Sequence, residues 1–179
     1  MKHTISILCD DTPGVMTRIS GLFSRRGFNI ESVSVGNTET KGKSRFTIVV
    51  SGDDRILEQI RKQLQKLVHV IKAWDIDRER IIEREHALIK LEVPGEDRAQ
   101  LLQLITALQV RLVDSSGDVW VIEVTGESSS VESAINLLSK FQVLETIRTG
   151  RIALERGRGS GVGGAGGGAG NGSTRNGKT

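Results

Sequence analysis

The sequence predicts an α+β fold of two tandem ferredoxin-like βαββαβ units, each a four-stranded antiparallel sheet with both helices on one face. Three observations predict it. Short runs with period-two apolar alternation are interleaved with longer runs at helical spacing. The order strand, helix, strand, strand, helix, strand occurs twice, over residues 1–76 and 85–156, although residue identity is not repeated. Right-handed crossovers leave few other ways to assemble that order.

The first strand is Thr4 to Cys9, where Ile5, Ile7 and Cys9 alternate with Thr4, Ser6 and Leu8. In the helix that follows, Val15, Ile19, Leu22 and Phe23 form one stripe and Arg18, Arg25 and Arg26 face elsewhere. Gly27 ends it as a left-handed terminator. Phe28 to Val35 reads as the second strand, Gly36 to Lys43 as a polar connection, and Arg45 to Ser51 as the third, with Phe46, Ile48 and Val50 on one face. Gly52-Asp53-Asp54 opens a helix carrying Ile56, Leu57, Ile60 and Leu64, and Val68 to Trp74 closes the unit. A charged connector, Asp75 to Arg84, contains the linker placed at residues 77–84.

The second unit starts with Ala87 to Val93, broken by Pro94-Gly95. Leu101, Leu102, Ile105 and Leu108 mark a helix, and Val110 to Ser115 with Val119 to Thr125 form a hairpin around Ser116-Gly117-Asp118. Val131, Ala134, Ile135 and Leu138 mark the last helix, and Val143 to Leu154 is mostly extended. Units of this size are near the lower limit for independent folding. Each leaves a sheet edge to be paired or blunted, so dimerisation through an edge is expected.

Residues 157–179 are mostly Gly, Ser, Asn and Ala, a disordered tail by composition. The tail holds Arg158, Arg175 and Lys178 and no acid, so it carries the whole net charge of +3 and leaves 22 basic and 22 acidic side chains in the body. A neutral body without Tyr argues against a nucleic-acid surface. Cys9 is the only cysteine, which excludes an internal disulfide and a cysteine metal cluster. No run approaches a membrane span, and the start has no long apolar leader. The expected location is cytoplasmic or a plastid-like reducing compartment.

The most informative stretch is Asp10-Asp11-Thr12-Pro13-Gly14-Val15, at the handover from the first strand to the first helix. Thr12 reads as the N-cap and Pro13 as the first helical residue. The N–H groups of Gly14 and Val15 would then point out of the helix start, backed by its dipole. Asp10 and Asp11 supply the opposite polarity beside them. Amides for a carboxylate and a carboxylate for an ammonium, a few residues apart, suit a free amino acid. An ordinary capped strand-to-helix turn is the plainer reading of the same residues.

The run Asp11-Thr12-Pro13-Gly14-Val15, then Gly21-Leu22-Phe23-Ser24-Arg25-Arg26-Gly27-Phe28-Asn29-Ile30-Glu31-Ser32, then Ser44-Arg45-Phe46-Thr47-Ile48-Val49-Val50 resembles the small, regulatory subunit of acetolactate (acetohydroxyacid) synthase. Glu83-Arg84-Glu85, Ala87-Leu88-Ile89-Lys90, Glu123-Val124-Thr125-Gly126 and Arg148-Thr149-Gly150-Arg151 continue the resemblance, which covers residues 1–156. The opening turn alone is shared across the ACT-domain superfamily of small-molecule sensors.

The resemblance implies an N-terminal ACT domain, a C-terminal ferredoxin-like domain and a homodimer with effector pockets at its seam. It implies no cofactor in this chain. It further implies a catalytic large subunit, holding thiamine diphosphate, Mg²⁺ and FAD, which this chain would activate and place under feedback inhibition by valine, with leucine or isoleucine as further effectors. Gly14 and Val15 match the family's effector-contacting turn. Asp11 matches an Asn or Asp position; here its carboxylate either pairs with the effector ammonium or is simply solvated. Asn29 matches a position that reaches the pocket from the other protomer, and is equally a turn residue at a strand start. Ile30 either lines the pocket or is a plain core residue.

His3, His69 and His86 lack ligand spacing and read as surface or edge-strand residues, not a metal site. The acids around Gly117 read as a turn, since the ordered ligands of a calcium loop are missing. No Ser/His/Asp or Cys/His constellation is visible, and Trp74 and Trp120 read as core or interface anchors. The competing function, a stand-alone ACT-type sensor acting on another enzyme or a transcription factor, would need a DNA-binding module that the sequence does not display.

Overall fold

The computed structural model describes residues 2–77 and 79–157. The predicted disordered tail therefore lies outside the described residues, apart from Gly157.

The first unit is an antiparallel sheet in the order β2-β3-β1-β4. It comprises β1 (Lys2–Asp10), α1 (Val15–Arg26), β2 (Ile30–Asn37), β3 (Lys43–Ser51), α2 (Asp54–Leu64) and β4 (Val70–Asp75). β1 and β3 pair without interruption from Lys2 opposite Ser51 to Asp10 opposite Lys43. That register puts Ile5 and Ile7 beside Ile48 and Phe46, and all four pack with Ile19 and Phe23 of α1 and Ile60 and Leu64 of α2. Both helices thus cover one face, as the alternation predicts.

The second unit repeats the order with β5 (Ile81–Glu92), α3 (Arg98–Leu108), β6 (Arg111–Ser116), β7 (Val119–Gly126), α4 (Ser128–Leu138) and β8 (Gln142–Arg148), in the sheet order β6-β7-β5-β8. A further strand, β9 (Ile152–Glu155), pairs with the first four residues of β5. Ala87, Ile89 and Leu91 point into the core against Leu101, Val131 and Leu138.

Several boundaries differ from the sequence reading. Residues 81–84 of the expected connector are strand, because β9 supplies their hydrogen-bond partners. β2 starts at Ile30, two residues late. The Gly27 cap is left-handed (φ 67°), and the Phe28 N–H is spent on the Phe23 carbonyl at 3.0 Å to close the helix. β4 starts at Val70, after His69 turns through a positive φ of 75°. α2 begins as predicted: Asp53 caps it, its Oδ1 accepting the Ile56 N–H at 2.8 Å, a bond worth about 1 kcal/mol.

The face of the first sheet away from its helices is covered in part. Leu8, Trp74 and Ile76 form a small core with Ala153 of β9, and Ile81 packs against it. Arg151 reinforces this seam: its Nη1 lies 2.8 Å from the Glu83 carboxylate and 3.4 Å from Thr4 Oγ1, and its Nε donates to Ser128 Oγ at 3.2 Å. Among the described residues no helix is long and apolar enough to cross a membrane.

Candidate functional site

The opening turn is built differently from a simple capped helix. The pre-proline restriction keeps Thr12 out of a helical conformation but is equally compatible with Thr12 as a cap, so it does not decide where the helix starts. Gly14 takes a left-handed conformation (φ 87°), and α1 starts only at Val15. The cap position belongs to Gly14, with no side-chain cap; Thr12 is not the N-cap and Pro13 is not in the helix. A residue with a Cβ would be strained there, so glycine is required by the backbone path itself.

Neighbouring backbone holds the turn in place. The Asp10 N–H donates to the His69 carbonyl and the Asp11 N–H to the Gly42 carbonyl, both at 2.9 Å. The Thr12 N–H turns back to the Asp10 carbonyl at 3.0 Å. Of the two amides expected to face a ligand, that of Val15 is partly engaged, 3.4 Å from the Thr12 carbonyl. The Gly14 N–H makes no hydrogen bond among the described residues. The Val15 side chain is buried in the core of the unit.

The two acids divide their roles. The Asp10 carboxylate is bound by Lys43, and His69 Nδ1 lies 3.3 Å from its other oxygen. The Lys43 bond first, then the His69 bond, hold its carboxyl below the usual carboxylate range. Asp10 is thus a strut within the turn. Asp11 is exposed, and its carboxylate has no ion-pair partner among the described residues. It is the acid available to a ligand ammonium.

Between this turn and the end of β2 lies a cavity of about 220 Å³, with Asp11 and Gly14 at its rim and Cys9, Val35 and Phe46 as its apolar lining. The Cys9 Sγ donates to the Ser44 carbonyl at 3.4 Å, and burial, then the Asp10 and Asp11 charges, push its thiol up in pKa. A protonated, buried thiol is a packing group and a poor nucleophile. Sequence reading missed Val35 and Phe46. The alternation placed Phe46 on the inner face, but only the register, Val35 opposite Phe46 and Phe46 opposite Ile7, shows that they meet under the turn.

Asn29 and Ile30 are not at this cavity. Ile30 pairs with Val50 at the far end of the sheet and packs against the core, and Asn29 beside it is exposed.

A larger cleft, about 480 Å³, opens between the two units beside Arg148 and Arg151. Its charges are spent on one another. Arg148 binds Glu85 at 2.6 Å and Glu132 at 2.7 Å, and Lys2 binds Glu31 at 2.7 Å. Each of these pairs lies within a single unit, Arg148 with Glu85 and Glu132 in the second and Lys2 with Glu31 in the first, and the cleft offers a ligand less than the smaller cavity does. His3, expected at the surface or on an edge strand, is instead buried on the central strand β1, its Nε2 3.2 Å from the Gly52 carbonyl. Among the described residues no group of three or more His, Cys, Asp or Glu is placed to hold a metal ion.

Comparison with known proteins agrees with this architecture. The family described as the AHAS small subunit-like ACT domain matches residues 5–72, and the family described as the small subunit of acetolactate synthase matches residues 84–157. The chain is 47% identical over 157 residues to the probable acetolactate synthase small subunit of Archaeoglobus fulgidus, covering 88% of this chain and 98% of that one. It is 44% identical over 160 residues to the acetolactate synthase small subunit of Mycobacterium bovis, covering 89% and 95%. The crystal structure of the Thermotoga maritima acetolactate synthase small subunit superposes with a TM-score of 0.82 at 46% identity, covering 87% of this chain and 98% of that one. Two tandem βαββαβ units, the first with the Gly14 turn of an ACT domain, and matches of this extent along both of them place the chain in the acetolactate synthase small-subunit family.

Proposed function

We propose that the chain is the regulatory subunit of acetolactate synthase, which activates a catalytic large subunit and confers feedback inhibition by valine bound at a seam between two copies of its ACT domain. The thiamine diphosphate, Mg²⁺ and FAD belong to the large subunit. Residues 1–76 bind the effector and dimerise, residues 77–84 link, and residues 85–156 carry the signal onward.

One observation carries the reading. An uncommitted backbone amide at Gly14 stands beside an uncommitted carboxylate at Asp11, over an apolar lining of Cys9, Val35 and Phe46. This is the complement of a zwitterion with an aliphatic side chain. Gly14 binds the carboxylate with lesser help from Val15, and Asp11 binds the ammonium. Leucine and isoleucine bind more weakly, since a methylene in such a pocket is worth about 1–3 kcal/mol.

The seam follows from β2. It is an edge strand with unpaired backbone groups. Antiparallel pairing of β2 with its copy would set the Asn29–Ile30 end of one chain beside the Val35 end of the other, where the cavity lies. Valine then inhibits by binding one arrangement of the assembly better than another. A tenfold preference per site corresponds to about 1.4 kcal/mol.

The test is acetolactate formation by the chain alone, the large subunit alone and the mixture, titrated with valine, leucine and isoleucine. Stimulation on mixing, with valine the strongest inhibitor, is expected. A mixture no more active than the large subunit alone defeats the proposal.

A further inference from the structure

On the face of the first sheet opposite its helices, a groove of about 320 Å³ runs between the end of β2 and β9. Its walls come from three distant parts of the chain: Val35, Ile82, and the Ile152 to Leu154 strand. Ile82, Ile152 and Leu154 keep 43%, 54% and 58% of their surface exposed, and Val35 keeps 49%. Three large aliphatic side chains, Ile82, Ile152 and Leu154, gathered in one groove and left half open are an exposed apolar patch, the usual mark of a binding surface.

The groove also holds two guanidinium groups. Arg45 stacks on Trp74, 5.6 Å from the ring centroid, and its Nε is buried with no acceptor. Arg84 is exposed and donates only to the Glu83 carbonyl, at 2.7 Å. Among the described residues no carboxylate pairs with either. In the neighbouring cleft Arg148 and Arg151 are both paired with carboxylates, so this lack of acids is particular to the groove.

We propose that this groove receives a segment of the catalytic large subunit in which aliphatic side chains flank a carboxylate. The inference rests on the regulatory-subunit reading and deepens it by naming the surface. The carboxylate would pair with the exposed guanidinium of Arg84, and the aliphatic side chains would cover Ile82, Ile152 and Leu154. Arginine at the centre of an apolar patch is the composition of an interface core.

Other occupants fit less well. The chain's own residues 158–179 contain no acid and add Arg158, Arg175 and Lys178, the wrong charge for this groove. A small carboxylate would be poorly enclosed, because pockets for small molecules bury most of the ligand surface and these walls are half open. A second copy pairing along β2 takes the in-plane edge of that strand, whereas the groove opens on the sheet face.

The position has a regulatory consequence. Val35 lies in the wall of both the effector cavity and this groove. The Val35 side chain faces the cavity with Phe46 while its backbone borders the groove, so an effector that shifts this stretch of β2 changes the surface presented to the large subunit.

The test uses the full chain with its large subunit, reading association by calorimetry and stimulation of acetolactate formation. Valine binding and the oligomeric state of the small chain alone are read in parallel. Arg84→Glu and Ile152→Glu are both at exposed positions and leave the core intact. Each is expected to weaken association roughly tenfold or more and to lower stimulation accordingly, with valine binding and self-association unchanged. Arg84→Lys keeps most of the association. Association within about twofold of the parent in both glutamate variants overturns the proposal, since a central anchor should cost more. Loss of self-association also overturns it, by assigning the groove to a second copy. Failure of the unsubstituted chain to associate defeats the regulatory reading itself, before any substitution is made.

Discussion

Gly14 and Asn29 lie at opposite ends of one sheet. Asp10, before the Gly14 turn, is opposite Lys43, whereas Ile30, after Asn29, is opposite Val50, seven positions further along β3. At about 3.4 Å per residue the two ends are roughly 24 Å apart, too far for both to touch one amino acid. Within a single chain they cannot form one site; across a two-fold pairing of β2 they can.

That relationship predicts complementation. Gly14→Asp and Asn29→Ala variants should each lose valine binding as homodimers. A mixed dimer carries both defects at one seam site and neither at the other. Differently tagged chains, co-refolded and purified as mixed dimers, should regain one valine per dimer by calorimetry. No recovery in mixed dimers would place both residues at the same site of the same chain, or Asn29 outside the site.

The Gly14 position separates backbone strain from ligand contact. Its φ of 87° strains any Cβ, yet nothing lies within 4 Å of one, so substitution costs conformation and not space. Gly14→Ala and Gly14→Asp should lose a similar amount of stability, about 1–2 kcal/mol. At this chain length that lowers Tm by roughly 2–4 °C per kcal/mol. Gly14→Asp additionally sets a carboxylate against the effector's own. It should abolish valine inhibition while leaving stimulation of the large subunit in place. Thermal scans beside valine titrations of the reconstituted enzyme read both effects; normal inhibition with Gly14→Asp would remove the turn from the site.

How much of this was legible in the sequence depended on distance along the chain. The first helix stripe of Val15, Ile19, Leu22 and Phe23 and the Gly27 stop are local, and the structure has them as read. The start of that helix was misplaced because a Thr-Pro pair signals a cap as readily as a turn, and only the left-handed Gly14 decides between them. The outward acid and the inward acid, Asp11 and Asp10, are indistinguishable in sequence. Their difference comes from Lys43 and His69, brought over from β3 and the start of β4. The strand character of residues 81–84 could not be read from their charge pattern, since it is imposed by β9, some seventy residues later.

Glu85 makes the stability of the second unit pH-dependent, through its pair with Arg148 between β5 and β8. The residue is only 6% exposed, and burial pushes its carboxyl up, but bonds from Arg148 and Ser128 outweigh this and hold it below the usual 4.5. A carboxyl depressed in the folded state stabilises the fold above its unfolded pKa, and that contribution is lost as pH falls through the folded value. Glu85→Gln should therefore cost about 2 kcal/mol near neutrality, discounted for the partly solvated Arg148. The gap between variant and parent should shrink as pH drops below about 4.5. Urea unfolding at neutral and acid pH measures it; a gap that widens in acid would contradict the assignment.

Arg151 tests whether the two units act as one. Its guanidinium touches Glu83 of β5, Ser128 at the start of α4 and Thr4 of β1, so a single side chain ties the first sheet to the second unit. Arg151→Gln leaves Glu83 without its partner and should cost about 2 kcal/mol. The cavity at the Gly14 turn contains none of these residues, so valine binding there should be unchanged in the variant. Inhibition of the reconstituted enzyme should nevertheless weaken, because coupling needs an element whose state both ends bias. Calorimetry on the small subunit and inhibition of the holoenzyme, taken together, separate binding from transmission. Equal inhibition of variant and parent, with the variant's stability lowered as expected, would show that the signal passes between the units by the Leu8–Trp74–Ala153 packing and not by this arginine.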